Sequence, residues 1–352
     1  MDGDAPPDKR KISMRTVIVG AGLIGRAWAI SFARAGHTVR MWDTDVSAAG
    51  AALGFISEVL PELAEHDLLS GQEPKAVLDR IRIVGDLEPA LADADHIQEN
   101  TPERVEVKRE VYARLDASAS PGAIIASSTS ALLPSQFTRE IPGRHRCLVC
   151  HPINPPYLIP AVEICPSPWT SPEVVTRAAD FMRSCGQAPL VMKQELDGFI
   201  MNRLQGALLE EAFRLVADGV ASPEDVDVGL RDGLALRWSF MGPFETIDLN
   251  APAGVRDYAE RYQGIYERIH PSTQRRVDWV GPVMDVIEAD RNSRLPRQDL
   301  AERQRWRDLR LMELVAHKKL SEVLANENLT EVSADKNLTE VLADKTHVEA
   351  GK

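Results

Sequence analysis

The sequence predicts an α/β fold, with an N-terminal doubly wound parallel sheet followed by a C-terminal all-helical domain. Three observations carry that prediction. A short apolar run, Thr16-Val17-Ile18-Val19, leads straight into Gly20-Ala21-Gly22-Leu23-Ile24-Gly25 and then into a helical period. Apolar runs and helical periods alternate from there to about Glu195, as repeated βαβ units do. Beyond Glu195 helical periods continue and strand signals stop.

Residues 1–13 are polar and contain prolines, and a flexible leader is expected there. Thr16 to Val19 reads as a buried strand, Leu23 to Ala35 as a helix stopped by Gly36, and Thr38 to Trp42 as the second strand. Val46 to Leu69 is helical in pattern, with an interruption near Pro61. Ile81-Arg82-Ile83-Val84 is a short strand, and His96-Ile97-Gln98 ends another. Glu103 to Leu115 is helical, while Ala123 to Ala126 and Cys147 to Cys150 are further strands. The first domain is therefore placed at 14–195. Phe199 to Asp218 carries Leu204, Leu208 and Leu215 at a helical period. Ser222-Pro223-Glu224-Asp225 is a helix start: a capping serine, a first-turn proline and an acid three residues on. A helical substrate and dimerisation domain is placed at 196–319, with apolar helix faces suited to a homodimer. The segment 320–352 repeats Leu320-Ser321-Glu322-Val323-Leu324 as Leu329-Thr330-Glu331-Val332-Ser333 and Leu338-Thr339-Glu340-Val341-Leu342. That period matches neither a heptad nor a solenoid, so an acidic repetitive tail is expected.

With 352 residues, 44% hydrophobic and 27% charged, the chain can bury two sizeable cores. A formal net charge of -12 excludes general nucleic-acid binding, because a polyanion would be repelled. No apolar run is read as reaching the roughly 18 residues of a membrane span. The N-terminal residues lack a signal peptide's apolar stretch. Four cysteines in such a chain point to thiols and not to a disulfide framework. A cytoplasmic protein is expected, with a small molecule as its partner and neither nucleic acid nor membrane.

The G-x-G-x-x-G pattern is weak alone. Here a strand precedes it, a helix follows it, and Asp43 stands after the next strand, about 20 residues on. Gly20 permits the tight turn, Gly22 lets the backbone approach a pyrophosphate, and Gly25 lets helix and strand pack closely. Leu23 and Ile24 open the helix whose N–H groups and partial positive charge face the phosphates. This is the pattern of a Rossmann dinucleotide site. A carboxylate at Asp43 accepts hydrogen bonds from ribose hydroxyls and repels a 2′-phosphate, so NAD is expected over NADP. Nothing favours FAD, and a nucleotide-free glycine turn is the alternative.

The densest polar cluster is Ser127-Ser128-Thr129-Ser130, His151-Pro152-Ile153-Asn154-Pro155-Pro156 and Glu163. The serine run and His151 each follow a strand, which places them at the carboxyl edge of the sheet, where ligands of open α/β folds bind. Hydride transfer to NAD⁺ requires that an alcohol lose its proton, and histidine is the natural acceptor near neutral pH. A carboxylate would orient the ring and stabilise the imidazolium. Spacing alone leaves His151 open as a structural histidine, Glu163 as a surface acid and the serine run as a turn. Cys147-Leu148-Val149-Cys150-His151 also matches the c-type haem pattern. Haem is not favoured without an export signal, and no second Cys/His pair supports zinc.

These motifs, with Asp197-Gly198-Phe199-Ile200-Met201-Asn202-Arg203, resemble the 3-hydroxyacyl-CoA dehydrogenase superfamily from about Met14 to about Ala316. The resemblance implies a Rossmann domain and a helical domain that dimerises. It implies His151 as general base with Glu163 as partner, Ser130 and Asn202 holding the substrate oxygen, and Asn154 in support. It also implies that Glu103 and Lys108 contact the cofactor; without it both read as a solvated helix face. Within the superfamily the chain is most similar to the lambda-crystallin type, which includes L-gulonate 3-dehydrogenase. Trp28, Gln98-Glu99-Asn100-Thr101-Pro102-Glu103, Asn154-Pro155-Pro156-Tyr157 and Gly242-Pro243-Phe244-Glu245-Thr246 carry that likeness. L-carnitine dehydrogenases are similar around Leu236-Arg237-Trp238-Ser239-Phe240-Met241-Gly242.

The chain departs from the acyl-CoA enzymes at Arg237-Trp238-Ser239. A guanidinium can grip a free carboxylate through paired hydrogen bonds, and a thioester offers none. Arg237 is therefore expected to bind the carboxylate of a small 3-hydroxy acid; a surface salt bridge is the plain alternative. Trp238 keeps carnitine in view, because aromatic faces bind quaternary ammonium groups. The expected reaction is NAD-dependent oxidation of a 3-hydroxy acid of the L-gulonate kind to the 3-oxo acid. A 3-hydroxyacyl-CoA dehydrogenase, an L-carnitine 3-dehydrogenase and a non-catalytic, crystallin-like or NAD-sensing protein are the alternatives.

Overall fold

The computed structural model describes residues 13–321. The expected leader, apart from Ser13, and all but the first residues of the expected tail lie outside the described residues. Among the described residues, those through Asp197 and those from Asp308 onward form one compact unit, and Gly198–Arg307 form a second.

The first unit is built on eight strands: β1 (Arg15–Val19), β2 (Thr38–Trp42), β3 (Ile81–Ile83), β4 (His96–Glu99), β5 (Ile124–Ser127), β6 (Cys147–Pro152), β7 (Ala161–Pro166) and β8 (Ala188–Val191). They lie in the order β3-β2-β1-β4-β5-β6-β7-β8. Every neighbouring pair is parallel except β6 and β7, which are antiparallel. The strand order turns back between β1 and β4, and such a switch point opens a crevice at the carboxyl ends of the strands. This is the doubly wound sheet that the alternating apolar runs predict.

Seven helices join the strands: α1 (Leu23–Arg34), α2 (Val46–Glu65), α3 (Pro74–Leu78), α4 (Leu87–Leu91), α5 (Val105–Ser118), α6 (Pro134–Thr138) and α7 (Pro172–Ser184). Helix α1 buries Ala27, Trp28, Ala29, Ile30, Phe32 and Ala33 against the sheet. It ends at Gly36, whose φ of +96° is a left-handed conformation that suits a helix exit.

Helix α2 corrects two expectations. It runs through Pro61 without stopping, because tertiary packing holds both sides of the proline. With 20 residues and a mean hydropathy of 1.3 it is also long and apolar enough to cross a membrane. Its apolar stripe, Ala49, Ala52, Ile56, Val59, Leu60 and Leu63, lies in the core cluster.

Strands β7 and β8 and helix α7 were not expected from the sequence. Glu163 interrupts β7 as an apolar run, and Pro189 interrupts β8. The helix over 300–321 also differs from expectation. Met312 is buried in the core of the first unit, with Leu309, Leu311 and Val315 packed against that core. Residues 308–319, expected with the helical domain, therefore belong to the first unit.

The second unit contains no strand among its described residues. Its helices are α8 (Met201–Ala217), α9 (Pro223–Val228), α10 (Ala235–Trp238), α11 (Pro243–Leu249), α12 (Val255–Thr273) and α13 (Pro282–Arg294). Ser222 and Asp225 form the reciprocal capping box at the start of α9. A π-helical turn, Gly229–Leu234, joins α9 to α10.

Candidate active site

The glycine loop lies at the carboxyl end of β1, beside the loop that follows β4. A Cβ on Gly20 would lie 2.8 Å from the Asn100 carbonyl oxygen, and one on Gly25 would lie 1.9 Å from the Gly20 carbonyl oxygen. Only glycine permits both approaches. A Cβ on Gly22 would meet nothing within 4 Å, so the backbone there faces open space. That is the arrangement a pyrophosphate needs: a tight turn, close helix packing and one unobstructed stretch of backbone before a helix N-terminus. Leu23 is 54% exposed at that terminus, while Ile24 packs against the core. Asp43, at the end of β2, is tied to the same loop. Its Oδ2 accepts the Ala21 N–H at 2.7 Å and its Oδ1 accepts the Asp45 N–H at 3.0 Å. The residues present fit NAD.

The next strand ends carry a buried ionic cluster. Lys108 donates from Nζ to both Glu99 oxygens at 3.0 Å, and the two side chains are 1% and 0% exposed. Ser127 Oγ donates to Glu99 Oε2 at 2.6 Å, and the Thr101 N–H and hydroxyl donate to Glu99 Oε1. Glu103 stands just before α5, where Oε2 lies 3.8 Å from Lys108 Nζ. Its Oε1 accepts the N–H groups of Ser130 and Ala131, each at 3.0 Å, and the Thr129 hydroxyl. One carboxylate thus shapes the loop that presents Ser130, whose side chain is exposed. Glu99 was missed in the sequence, where it reads as the end of a strand. Its signal is an acid closing a strand at the carboxyl edge, with a lysine nine residues on in the following helix.

A second network fixes Ser128. Trp28 Nε1 and Gln98 Nε2 donate to Ser128 Oγ at 3.0 and 2.7 Å, and Ser128 donates to Asn100 Oδ1 at 2.7 Å. Gln98 Oε1 in turn accepts from His96 Nε2 at 3.0 Å. His96 is wholly buried beside Phe32 and Phe181. Burial pushes its imidazole down to about 4, well below the 6.5 of an ordinary histidine. The unfolded chain therefore takes up the proton first. Stability is whole above pH 6.5 and falls as the pH drops towards 4, by about 3 kcal/mol for this group. Urea unfolding followed by tryptophan fluorescence should show this loss in the wild type. His96→Leu should remove about that much of the pH dependence, even if it lowers stability at pH 7; an unchanged pH dependence would contradict a neutral His96.

His151 on β6 and Glu163 on β7 stand opposite each other in the antiparallel ladder. Their side chains meet, His151 Nδ1 to Glu163 Oε2 at 2.7 Å, and are 6% and 0% exposed. With Nδ1 protonated and donating to the carboxylate, the lone pair of the neutral ring is on Nε2. A ring held this way can accept a proton and have its positive charge stabilised. Asn154, half-buried, begins the loop that leaves β6, and its bond to Pro155 is cis. Cys147 and Cys150 are buried in β6, and burial raises both thiols, Cys147 to about 12. Both are neutral thiols at pH 7. No group of three or more His, Cys, Asp or Glu side chains suited to a metal occurs among the described residues. Asn202 and Arg237 stand in the second unit, Asn202 in the first turn of α8 and Arg237 in α10. Arg237 is half-buried and forms no ion pair among the described residues. The structure thus brings together His151 with Glu163, Glu103 and Lys108 with the Ser130 loop, and Asp43 with the glycine loop.

Comparison with known proteins agrees with this fold. Residues 15–195 match the NAD-binding domain of 3-hydroxyacyl-CoA dehydrogenase, and residues 198–281 match its C-terminal domain. Lambda-crystallin of Oryctolagus cuniculus is 37% identical over 306 residues, 86% of this chain and 96% of the relative. An L-carnitine dehydrogenase of Pseudomonas sp is 37% identical over 304 residues, 84% of this chain and 91% of that one. Among solved structures, an NAD⁺-dependent dismutase, 5-formyl-3-hydroxy-2-methylpyridine 4-carboxylic acid 5-dehydrogenase, has a TM-score of 0.72 at 27% identity. The match covers 88% of this chain and 99% of that structure.

Proposed function

Because the chain belongs to the 3-hydroxyacyl-CoA dehydrogenase family, NAD-dependent oxidoreductases that act on CH–OH groups, we propose that its substrate is a small free 3-hydroxy carboxylic acid of the L-gulonate kind. The observation that carries the proposal is Arg237, a partly buried guanidinium with no ion pair among the described residues. Among the described residues no surface salt bridge explains it otherwise, and a free carboxylate is its natural partner.

His151 is assigned the general base. Glu163 holds the Nδ1–H, so Nε2 takes the substrate hydroxyl proton, and the carboxylate then stabilises the imidazolium. Bound NAD⁺ supplies the hydride acceptor. Ser130 and Asn202 are assigned to the substrate oxygen, with Asn154 in support. The products are the 3-oxo acid, NADH and a proton. Gly20 to Gly25 and Asp43 are assigned to the cofactor's pyrophosphate and ribose, and Glu103 and Lys108 to cofactor contact, as the family resemblance implies. A second reading, L-carnitine, is favoured by Trp238, 40% exposed beside Arg237. The intact His151–Glu163 pair argues for turnover and against a purely structural role. Exposed Leu204, Phe240, Phe244 and Leu249 on the second unit support a homodimer.

The test is NADH formation from L-gulonate, L-carnitine, 3-hydroxybutyrate and 3-hydroxybutyryl-CoA. A free acid should give the highest kcat/KM, and a preference for the CoA ester would overturn the proposal. Arg237→Met should raise KM for the favoured acid by roughly 10- to 100-fold, with kcat much less affected. An unchanged KM would remove Arg237 from the site.

A further inference from the structure

The first unit holds a cavity of about 750 Å³ that the reaction above does not use. Arg34, at the end of α1 remote from the glycine loop, lines it together with Tyr157, Leu158, Arg183, Lys318 and Lys319. Helix α1 has 12 residues, so about 18 Å of helix separates Arg34 from the glycine loop. Two features set the cavity apart. Among the described residues none that lines it is an aspartate or glutamate, in a chain with 53 acids against 41 lysines and arginines. And Arg34 forms no ion pair among the described residues; its guanidinium donates from Nη1 to the Tyr157 carbonyl oxygen at 2.7 Å.

The other lining cations leave the positive charge uncancelled in part. Arg183 pairs with Asp180 at 2.8 Å, but Lys319 donates to the Asp67 carbonyl oxygen at 3.0 Å and forms no ion pair among the described residues, and Lys318 is exposed at the rim. The frame around Arg34 is fixed. Its carbonyl oxygen accepts from Gln72 Nε2 at 2.7 Å, and Gln72 Oε1 accepts from Arg80 at 2.8 Å. Burial lowers the Arg34 guanidinium to about 10. A cation in that position is stabilised by an anion that can take two of its N–H groups.

We propose that this cavity binds a small phosphorylated molecule. Arg34 grips the phosphoryl oxygens, Lys318 and Lys319 add charge at the rim, and Leu158 and Tyr157 pack against the organic body. Arg34, Lys318 and Lys319, with no acid among the described lining residues, suit a dianion better than a single carboxylate. The volume falls in the range of small-ligand pockets, about 300–1,000 Å³.

The test uses the full chain saturated with NAD, so that the glycine loop is filled. Calorimetric titration with inorganic phosphate and with phenyl phosphate should each show one saturable site. Tighter binding of phenyl phosphate assigns the cavity to an organic phosphate, and equal binding assigns it to the free anion. Arg34→Met should weaken binding by roughly tenfold or more. Where that variant loses the wild-type circular dichroism, the exposed pair Lys318→Glu and Lys319→Glu decides, with a weakening of about the same order expected. No saturable binding of either probe, or binding that the folded variants leave unchanged, overturns the proposal.

Discussion

His151→Gln should lower kcat by about 10²- to 10⁴-fold while leaving the Kd for NAD nearly unchanged. The amide keeps much of the imidazole's bulk and can still donate to Glu163, so the β6–β7 ladder stays intact. What it cannot do is accept a proton at neutral pH. Steady-state rates with the favoured acid, set beside a fluorescence titration with NADH, separate chemistry from cofactor binding. A variant with nearly normal kcat would take the general-base role away from His151. Parallel loss of NAD binding would instead mean that the substitution had disturbed the sheet edge.

Lys108→Met should cost about 3–5 kcal/mol of stability, because it leaves the Glu99 carboxylate buried without its cation. Glu99 is wholly buried and Lys108 is 1% exposed, so water cannot replace the lost ammonium. The double variant Glu99→Gln, Lys108→Met should recover part of the loss, since a neutral amide is far easier to bury. Urea unfolding at pH 7 would measure all three proteins. A loss below about 1 kcal/mol for the single variant would show that the pair is solvated in solution.

The sequence displayed some of this site openly. Gly20, Gly22 and Gly25 were legible because each answers a backbone constraint, and the close approaches at Gly20 and Gly25 are those the spacing predicts. Asp43 was legible because its distance along the chain fixes its place at a strand end. Glu163 was not, since its meeting with His151 depends on the register of two antiparallel strands joined by a loop. Its place in the polar cluster left it open as a surface acid, and the family resemblance made it the partner of His151. Lys108 likewise looked like a solvated helix residue, because helical periodicity does not say that an acid waits beneath. Helix α7 should have been legible: Ser171-Pro172-Glu173 opens it in the same way that Ser222-Pro223-Glu224 opens α9, and Ser171 caps it. Arg34 carries no sequence signal at all. Its interest comes from what surrounds it.

The antiparallel pairing of β6 and β7 has a consequence for heredity. His151 and Glu163 are joined by ladder register and not by a loop, so insertions or deletions within either strand would act all at once. Loss of one residue in β7 ahead of Glu163 would send the carboxylate to the opposite face of the sheet. No intermediate arrangement lies between a working pair and a separated one. The two positions can therefore change by exchange of side chain but not by gradual displacement, and a lineage that keeps the ladder inherits them as one unit.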